Sequence, residues 1–231
     1  MSDRGSRRGG HPSHRVNRRR QPPARHPWIE RILIVHSYVI LAVTCVGQIL
    51  HEYAHKRACE NLNIPIEEIC YFQFDVPPGY VSYRTPRYYG HQIGIALAPL
   101  FSNTLLAAIL FCGVIGGLDH WGLPPLSDDV LGVWIGFVGA GWLGVSCAMH
   151  AVPSRDDANL AWTATVDQFP AIGPVCAFPL VVLAYVLSRL DWIGIDYFYT
   201  AALVSGVFSL YHSVPLLRTS VRTLLHIVSG L

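Results

Sequence analysis

The chain has 231 residues, of which 52% are hydrophobic and only 14% charged, and its 17 Lys and Arg against 15 Asp and Glu leave a net charge of +2. So much apolar sequence with so little charge points to a bilayer rather than water as the solvent, and argues against an ordinary soluble core of this size. No internal repeat, phosphate-binding loop or dinucleotide fingerprint is present, and beyond a basic N-terminus nothing suggests a nucleic-acid partner.

Residues 1–27 carry Arg4, Arg7, Arg8, Arg15, Arg18, Arg19, Arg20 and Arg25 against the single acid Asp3, among many Gly, Ser and Pro. That composition predicts a disordered tail able to touch anionic lipid. A signal peptide is the competing reading, but the basic part is long and no A-x-A cleavage pattern follows it. Five runs then approach the roughly 20 apolar residues that a membrane-crossing helix needs. They cover 32–50, 94–118, 131–150, 170–190 and 192–213, the last two separated so briefly, around Ser188 to Asp191, that they suggest a tight helical hairpin. The stretch after Val214 spaces Arg218, Arg222 and His226 by four and reads as an amphipathic helix on the lipid bilayer. The expected fold is thus an all-α polytopic membrane protein of about five transmembrane helices, with a core at 28–213 and a C-terminal amphipathic helix at 214–231. Of the six cysteines, Cys45, Cys112, Cys147 and Cys176 fall within these runs and none forms a C-x-x-C pair, so they are read as packing residues.

The first run continues without a breaker from Val46-Gly47-Gln48-Ile49-Leu50 into His51-Glu52-Tyr53-Ala54-His55, which predicts one helix carrying both the membrane segment and a polar cluster. Residues four apart share a helix face, so His51 and His55 can present two imidazoles to one ion while Glu52 sits beside them. That is the arrangement of a hydrolytic zinc site, in which the metal acidifies a bound water and the carboxylate takes its proton. A chance match of this pattern is expected roughly once in a hundred chains of this composition, and its place at the end of an apolar run adds weight because intramembrane ionisable groups are functional candidates. The contrasting reading is a solvated helix end at the membrane surface. Further on, Ile69 to Asp75 and Tyr80 to Arg84 are aromatic and β-branched runs flanking Pro77-Pro78-Gly79, a hairpin signal whose edge offers strand addition to an extended substrate.

Taken together, these features resemble the site-2 protease family of intramembrane zinc metalloproteases. The Gly79-Tyr80-Val81 turn is similar to the family's short β-structure beside the active site, which implies substrate contacts at Gly79 and Tyr80. Ala98-Pro99-Leu100-Phe101-Ser102-Asn103 resembles its Gly-Pro-x-x-Asn element, with alanine for glycine and one extra residue before Asn103. The resemblance implies a substrate-contacting or oxyanion-side donor at Asn103, against an interhelical hydrogen bond. The family's third ligand is an aspartate of an Asp-Gly pair, absent here; Pro153-Ser154-Arg155-Asp156-Asp157 looks like a Pro-Ser-x-x-Asp variant and implies Asp157, with Asp156 and His150 as alternatives. Two histidines and one carboxylate would leave a fourth position for water on a single zinc ion. A helix cap after Pro153 is the other account of the aspartate pair.

Alternating the ends of the five runs across the membrane puts Lys56, Arg57, Arg84, Arg87, Arg155, Arg218 and Arg222 on the side of His55 and Asp157. Asp119, Asp128, Asp129, Asp191, Asp196 and Arg189 then lie opposite. The positive-inside rule makes the catalytic side cytoplasmic, in a multi-pass protein of the cell membrane, although the arginine-rich tail points the other way. The function expected is hydrolysis of a membrane-protein substrate, with Glu52 as base. The alternative is a non-catalytic membrane protein, either a metal transporter or an inactive relative; a transporter would repeat polar residues along several runs, whereas here they gather at one level.

Overall fold

A computed structural model describes residues 27–122, 131–169, 171–190 and 193–229, so the basic tail expected at 1–27 lies almost wholly outside the described residues. The described residues divide into two units between Ser37 and Tyr38. The first contributes the start of α1 (Pro27–Val43), and everything below concerns the second. Its elements in order are α2 (Cys45–Asn61), β1 (Ile66–Cys70), β2 (Tyr80–Tyr83), α3 (Tyr89–Ala96), α4 (Ala98–Trp121), α5 (Leu131–Met149), α6 (Arg155–Asp167), α7 (Ile172–Arg189), α8 (Ile195–Ser213) and α9 (Pro215–Ser229). Helix therefore dominates, as composition implied.

Among the described residues, α4 and α5 are long and apolar enough to cross a membrane, and two bent pairs, α1 with α2 and α8 with α9, raise the number to four if each pair is one span. The outward faces carry Phe101, Leu105, Ile109, Ile135, Val138 and Trp142 exposed, while Gln48, Asn103 and Ser146 are buried. An apolar outside around polar interior groups suits lipid rather than water.

The expectation of one continuous helix through the zinc motif is corrected at Thr44, where the chain bends by 70°. The Thr44 hydroxyl donates back to the Ile40 carbonyl at 2.8 Å, sharing it with the Thr44 amide, a local bond of the kind that bends helices. The backbone groups exposed by the bend are taken up by α5. Trp142 Nε1 donates to the Val43 carbonyl at 2.9 Å, and the Ser146 hydroxyl both donates to the Thr44 carbonyl at 2.9 Å and accepts from the Gly47 amide at 2.8 Å. A neighbouring helix thus supplies the partners that lipid cannot. Gly47 permits the approach, since a Cβ there would lie 1.9 Å from the Ser146 carbonyl oxygen.

α4 and α5 pack against each other, α2 lies across both, and α8 runs beside them. Ala107, Phe111, Cys147 and Ala148 form the core of this bundle, joined by Leu50, Leu143 and Leu203. The cysteines are all free, as read from the sequence, but of the four in the predicted runs only Cys147 is buried, Cys45 and Cys112 being half-buried and Cys176 exposed. The run predicted at 94–118 is broken at Leu97, which separates α3 from α4. Pro99 in the first turn of α4 explains the break, because it lacks an amide for the ladder and tolerates only a helix start.

The hairpin exists, but its first strand lies earlier than predicted. β1 is Ile66–Cys70 rather than 69–75, and it pairs antiparallel with β2 through Ile69 with Val81 and Cys70 with Tyr80. Residues 71–79 form the connecting loop instead. Gln73 closes it, its amide reaching the Pro78 carbonyl at 2.7 Å and its side chain the Pro77 carbonyl at 2.7 Å. Two prolines cannot donate to a ladder, which keeps this stretch out of the sheet.

The predicted hairpin of the fourth and fifth runs is not what forms. α7 packs on α6, a helix the sequence reading treated only as a capped aspartate pair. Trp162 lies against Tyr185 with centroids 4.9 Å apart, and Arg189 bonds Asn159 at 2.7 Å while covering the Tyr185 ring. Asn159 and Trp162 supply a partner face that α8 does not. This changes the sidedness derived from five alternating runs. Arg218 and Arg222 bond Asp119, at the opposite end of α4 from Asn103, and Asp196 joins the cavity around the zinc motif. The rise of an α-helix separates Asn103 from Asp119 by about 24 Å.

Candidate metal centre

α2 presents His51, Glu52 and His55 on one buried face, each no more than 6% exposed. Asp157 arrives from the first turn of α6. His51 Nε2 and His55 Nε2 lie 3.3 Å apart, and Asp157 Oδ2 stands 3.6 Å from the first and 3.3 Å from the second. A tetrahedral ion with bonds of about 2.0–2.1 Å has ligand-to-ligand edges of about 3.3–3.4 Å, so these three atoms form one face of such a tetrahedron. They are the group of His, Cys, Asp and Glu side chains among the described residues that can hold a metal ion.

Orientation comes from backbone oxygens. His51 Nδ1 donates to the His150 carbonyl at 2.7 Å, and His55 Nδ1 donates to the Ile95 carbonyl at 3.0 Å. A carbonyl can only accept, so both rings carry a proton on Nδ1 and turn Nε2 toward Asp157. Three electron-rich atoms at contact distance repel unless a cation or proton lies among them. The carbonyls themselves are the loose ends of helices: Ile95 is in the last turn of α3, and His150 directly follows α5. Ile95 is the residue whose carbonyl an amide at position 99 would normally take, and Pro99 has none.

Asp157 has a second role. Ser154 is the N-cap of α6, its hydroxyl accepting from the Asp157 amide at 3.1 Å and donating to Asp157 Oδ2 at 2.6 Å, while the Ser154 amide donates to the same Oδ2 at 3.3 Å. The capping reading and the ligand reading therefore meet in one residue, a capping box whose acid also faces the histidines. Burial alone would push the Asp157 carboxyl up, but His55 and His51 outweigh it and hold the group well below the usual carboxylate range. Asp156 is exposed at the rim and outside the group, and His150 turns its Nε2 to the Thr44 hydroxyl at 2.9 Å. Neither alternative ligand is brought to the metal face.

Glu52 points into a cavity of about 450 Å³ that His51, His55, Asp157, Tyr83 and the Pro77–Val81 segment also line. Gln48, one turn back, donates to Glu52 Oε1 at 2.7 Å. This contact was missed in the sequence, although its spacing of four before Glu52 places it on the same face. Gly79 sits against this pair, with a Cβ there 2.8 Å from Glu52 Cγ and 3.0 Å from Gln48 Nε2. Only glycine lets the loop come so close.

Of the remaining predicted contacts, Tyr80 lines the cavity and Asn103 is not among its lining residues. Asn103 is 1% exposed and directs its amide to the Gly47 and His150 carbonyls at 3.3 and 3.0 Å, so it takes the interhelical role and steadies the oxygen that orients His51. The Tyr80 hydroxyl donates to Glu68 Oε1 at 2.7 Å across the hairpin. Tyr83 was not singled out in the sequence; burial and the nearby Asp157 charge raise its phenol above the ordinary value. No protein-family model, curated protein or solved structure matches the chain.

Proposed function

We propose that the protein is an intramembrane zinc metalloprotease that hydrolyses peptide bonds of membrane-embedded or membrane-adjacent substrates. One observation carries this reading: two Nε2 atoms and a carboxylate oxygen converge at tetrahedral spacing beside the buried Glu52, in a cavity roomy enough for a peptide backbone. Imidazole nitrogen with a single carboxylate suits zinc better than magnesium or calcium, which prefer an all-oxygen shell.

Zinc bound to these residues would acidify a water and polarise the scissile carbonyl. Glu52 accepts the proton as the water oxygen bonds to the carbonyl carbon and the carbonyl electron pair moves onto its oxygen. When that pair returns, the C–N bond breaks, and Glu52 hands the proton to the departing amine. Gln48 holds Glu52 by a bond to one oxygen and leaves the other for the water. Asp157, kept ionised by its neighbours, remains a ligand through the cycle. Loop 71–79 covers Glu52 and places the hairpin where an extended substrate segment can lie against it. The lysines and arginines gathered at the cavity end of the bundle support a cytoplasmic site in the cell membrane.

The test is a Glu52→Gln variant beside wild type, assayed for cleavage of a single-span reporter in detergent with zinc. Wild-type cleavage with a loss of at least about 10³-fold in the variant is expected. Equal cleavage sinks the mechanism, and zinc binding without cleavage by wild type favours a non-catalytic metal-binding membrane protein.

A further inference from the structure

Hydrolysis of a peptide needs a donor for the carbonyl oxygen as negative charge collects there, and such a donor is commonly the largest single aid besides the metal. Most polar side chains around the cavity are already engaged. Gln48 is held on Glu52, Ser154 on Asp157, His150 on Thr44, and Ser188 on the Tyr185 carbonyl at 2.9 Å. Tyr83 differs. It is half-buried, lines the same cavity as Glu52 and the three candidate ligands, and its hydroxyl makes no hydrogen bond to a described residue.

Its place is set by the strand. β2 packs on α2, the helix that carries His51, Glu52 and His55, and pairing of Ile66 with Tyr83 fixes the strand's end against that helix. The other tyrosine of the strand, Tyr80, is committed to Glu68. A phenol keeps its proton near neutral pH and carries it on a stiff ring, so it donates without a large ordering cost.

We propose that Tyr83 is a catalytic residue of the hydrolysis described above, donating its O–H to the scissile carbonyl oxygen as that oxygen becomes an oxyanion. No bond of Tyr83 is made or broken; the phenol stays protonated. The inference rests on the protease reading. It assigns Tyr83 to the transition state rather than to metal binding or to substrate affinity.

The experiment compares wild type with Tyr83→Phe in three measurements: turnover of the single-span reporter, zinc content, and binding of a reporter peptide whose scissile amide is replaced by a phosphonate. Removal of one such donor lowers kcat by about 10²-fold. The expected result is that loss with KM within a factor of about three, full zinc content, and a similar weakening of the phosphonate peptide. Unchanged kcat in Tyr83→Phe overturns the assignment while leaving the protease reading standing. Loss of zinc, or a rise in KM alone, also overturns it and makes Tyr83 a structural or substrate-holding group. If wild type and Glu52→Gln are both inactive, the protease reading fails first, and the role of Tyr83 falls with it.

Discussion

Pro99 and His55 are linked through an oxygen that belongs to neither: the Ile95 carbonyl, which can take no amide from Pro99, accepts from His55 Nδ1 at 3.0 Å beside a backbone amide of the helix cap. A helix interruption is thereby converted into a fixed ligand orientation. Pro99→Ala restores a competing donor and allows α3 and α4 to merge. Outer contacts of this kind are worth about 10- to 100-fold in metal affinity, so a zinc affinity at least about tenfold weaker is expected in competition with a chromogenic chelator. Unaltered affinity would show that the carbonyl does not orient the ring.

The double role of Asp157 separates two effects. Ser154→Ala removes the N-cap of α6 and the bond to Oδ2, and a lost cap costs about 1 kcal/mol. Asp157→Asn keeps the side-chain shape at the cap but weakens the ligand charge. The first variant should lower thermal stability more than zinc content, the second zinc content more than stability. Zinc retained in full by Asp157→Asn and by Asp157→Ala would move the third ligand elsewhere.

Gly79→Ala tests the closeness of the loop to the base. The added methyl meets Glu52 Cγ at 2.8 Å and must push the loop or the carboxylate aside. Cleavage should fall by at least about tenfold while zinc stays bound, since displacement of a catalytic group by about 1 Å already costs as much or more. A variant as active as wild type would mean that the loop yields freely.

Acid should release the metal through the histidines. Asp157 is depressed below its ordinary 3.8 and so stays ionised as the pH falls toward that value, keeping its contribution until far lower pH. A ligating imidazole must give up its ring proton, so acid competes with the ion for the two Nε2 atoms that face Asp157. The apparent zinc affinity should therefore fall as the pH is lowered, with a slope approaching two protons per ion. Chelator titrations at falling pH check it, and a slope of three would bring Asp157 into the competition.

Much of the centre could be read from residues alone. The spacing of His51, Glu52 and His55 is local, and a helix turns it directly into a shared face. Asp157 was reachable through the Pro153-Ser154 context, because a cap signal and a ligand signal coincide there. The bend at Thr44 was not legible, since nothing before it in the chain announces that Trp142 and Ser146, about a hundred residues later, will donate to the Val43 and Thr44 carbonyls. The pairing of α7 was misread for a related reason: the short link at Ser188 to Asp191 suggested α8 as partner, while the deciding contacts come from Asn159 and Trp162, in a segment too charged at its start to resemble a membrane helix.

The far end of the bundle offers a separate check. Asp119 receives Arg218, Arg222 and the Tyr211 hydroxyl, tying α9 to α4 and α8. Asp119→Asn should speed amide hydrogen exchange in α9 without altering zinc content. Unchanged exchange would show that apolar packing alone holds α9.

Both imidazoles lean on peptide oxygens, those of Ile95 and His150, whose side chains contribute nothing to the bond. Any amino acid at position 95 would present the same oxygen, provided the helix still ends there. The information that aims the ligands is thus written in where helices stop, and a relative could keep the geometry intact while changing the letters at these places.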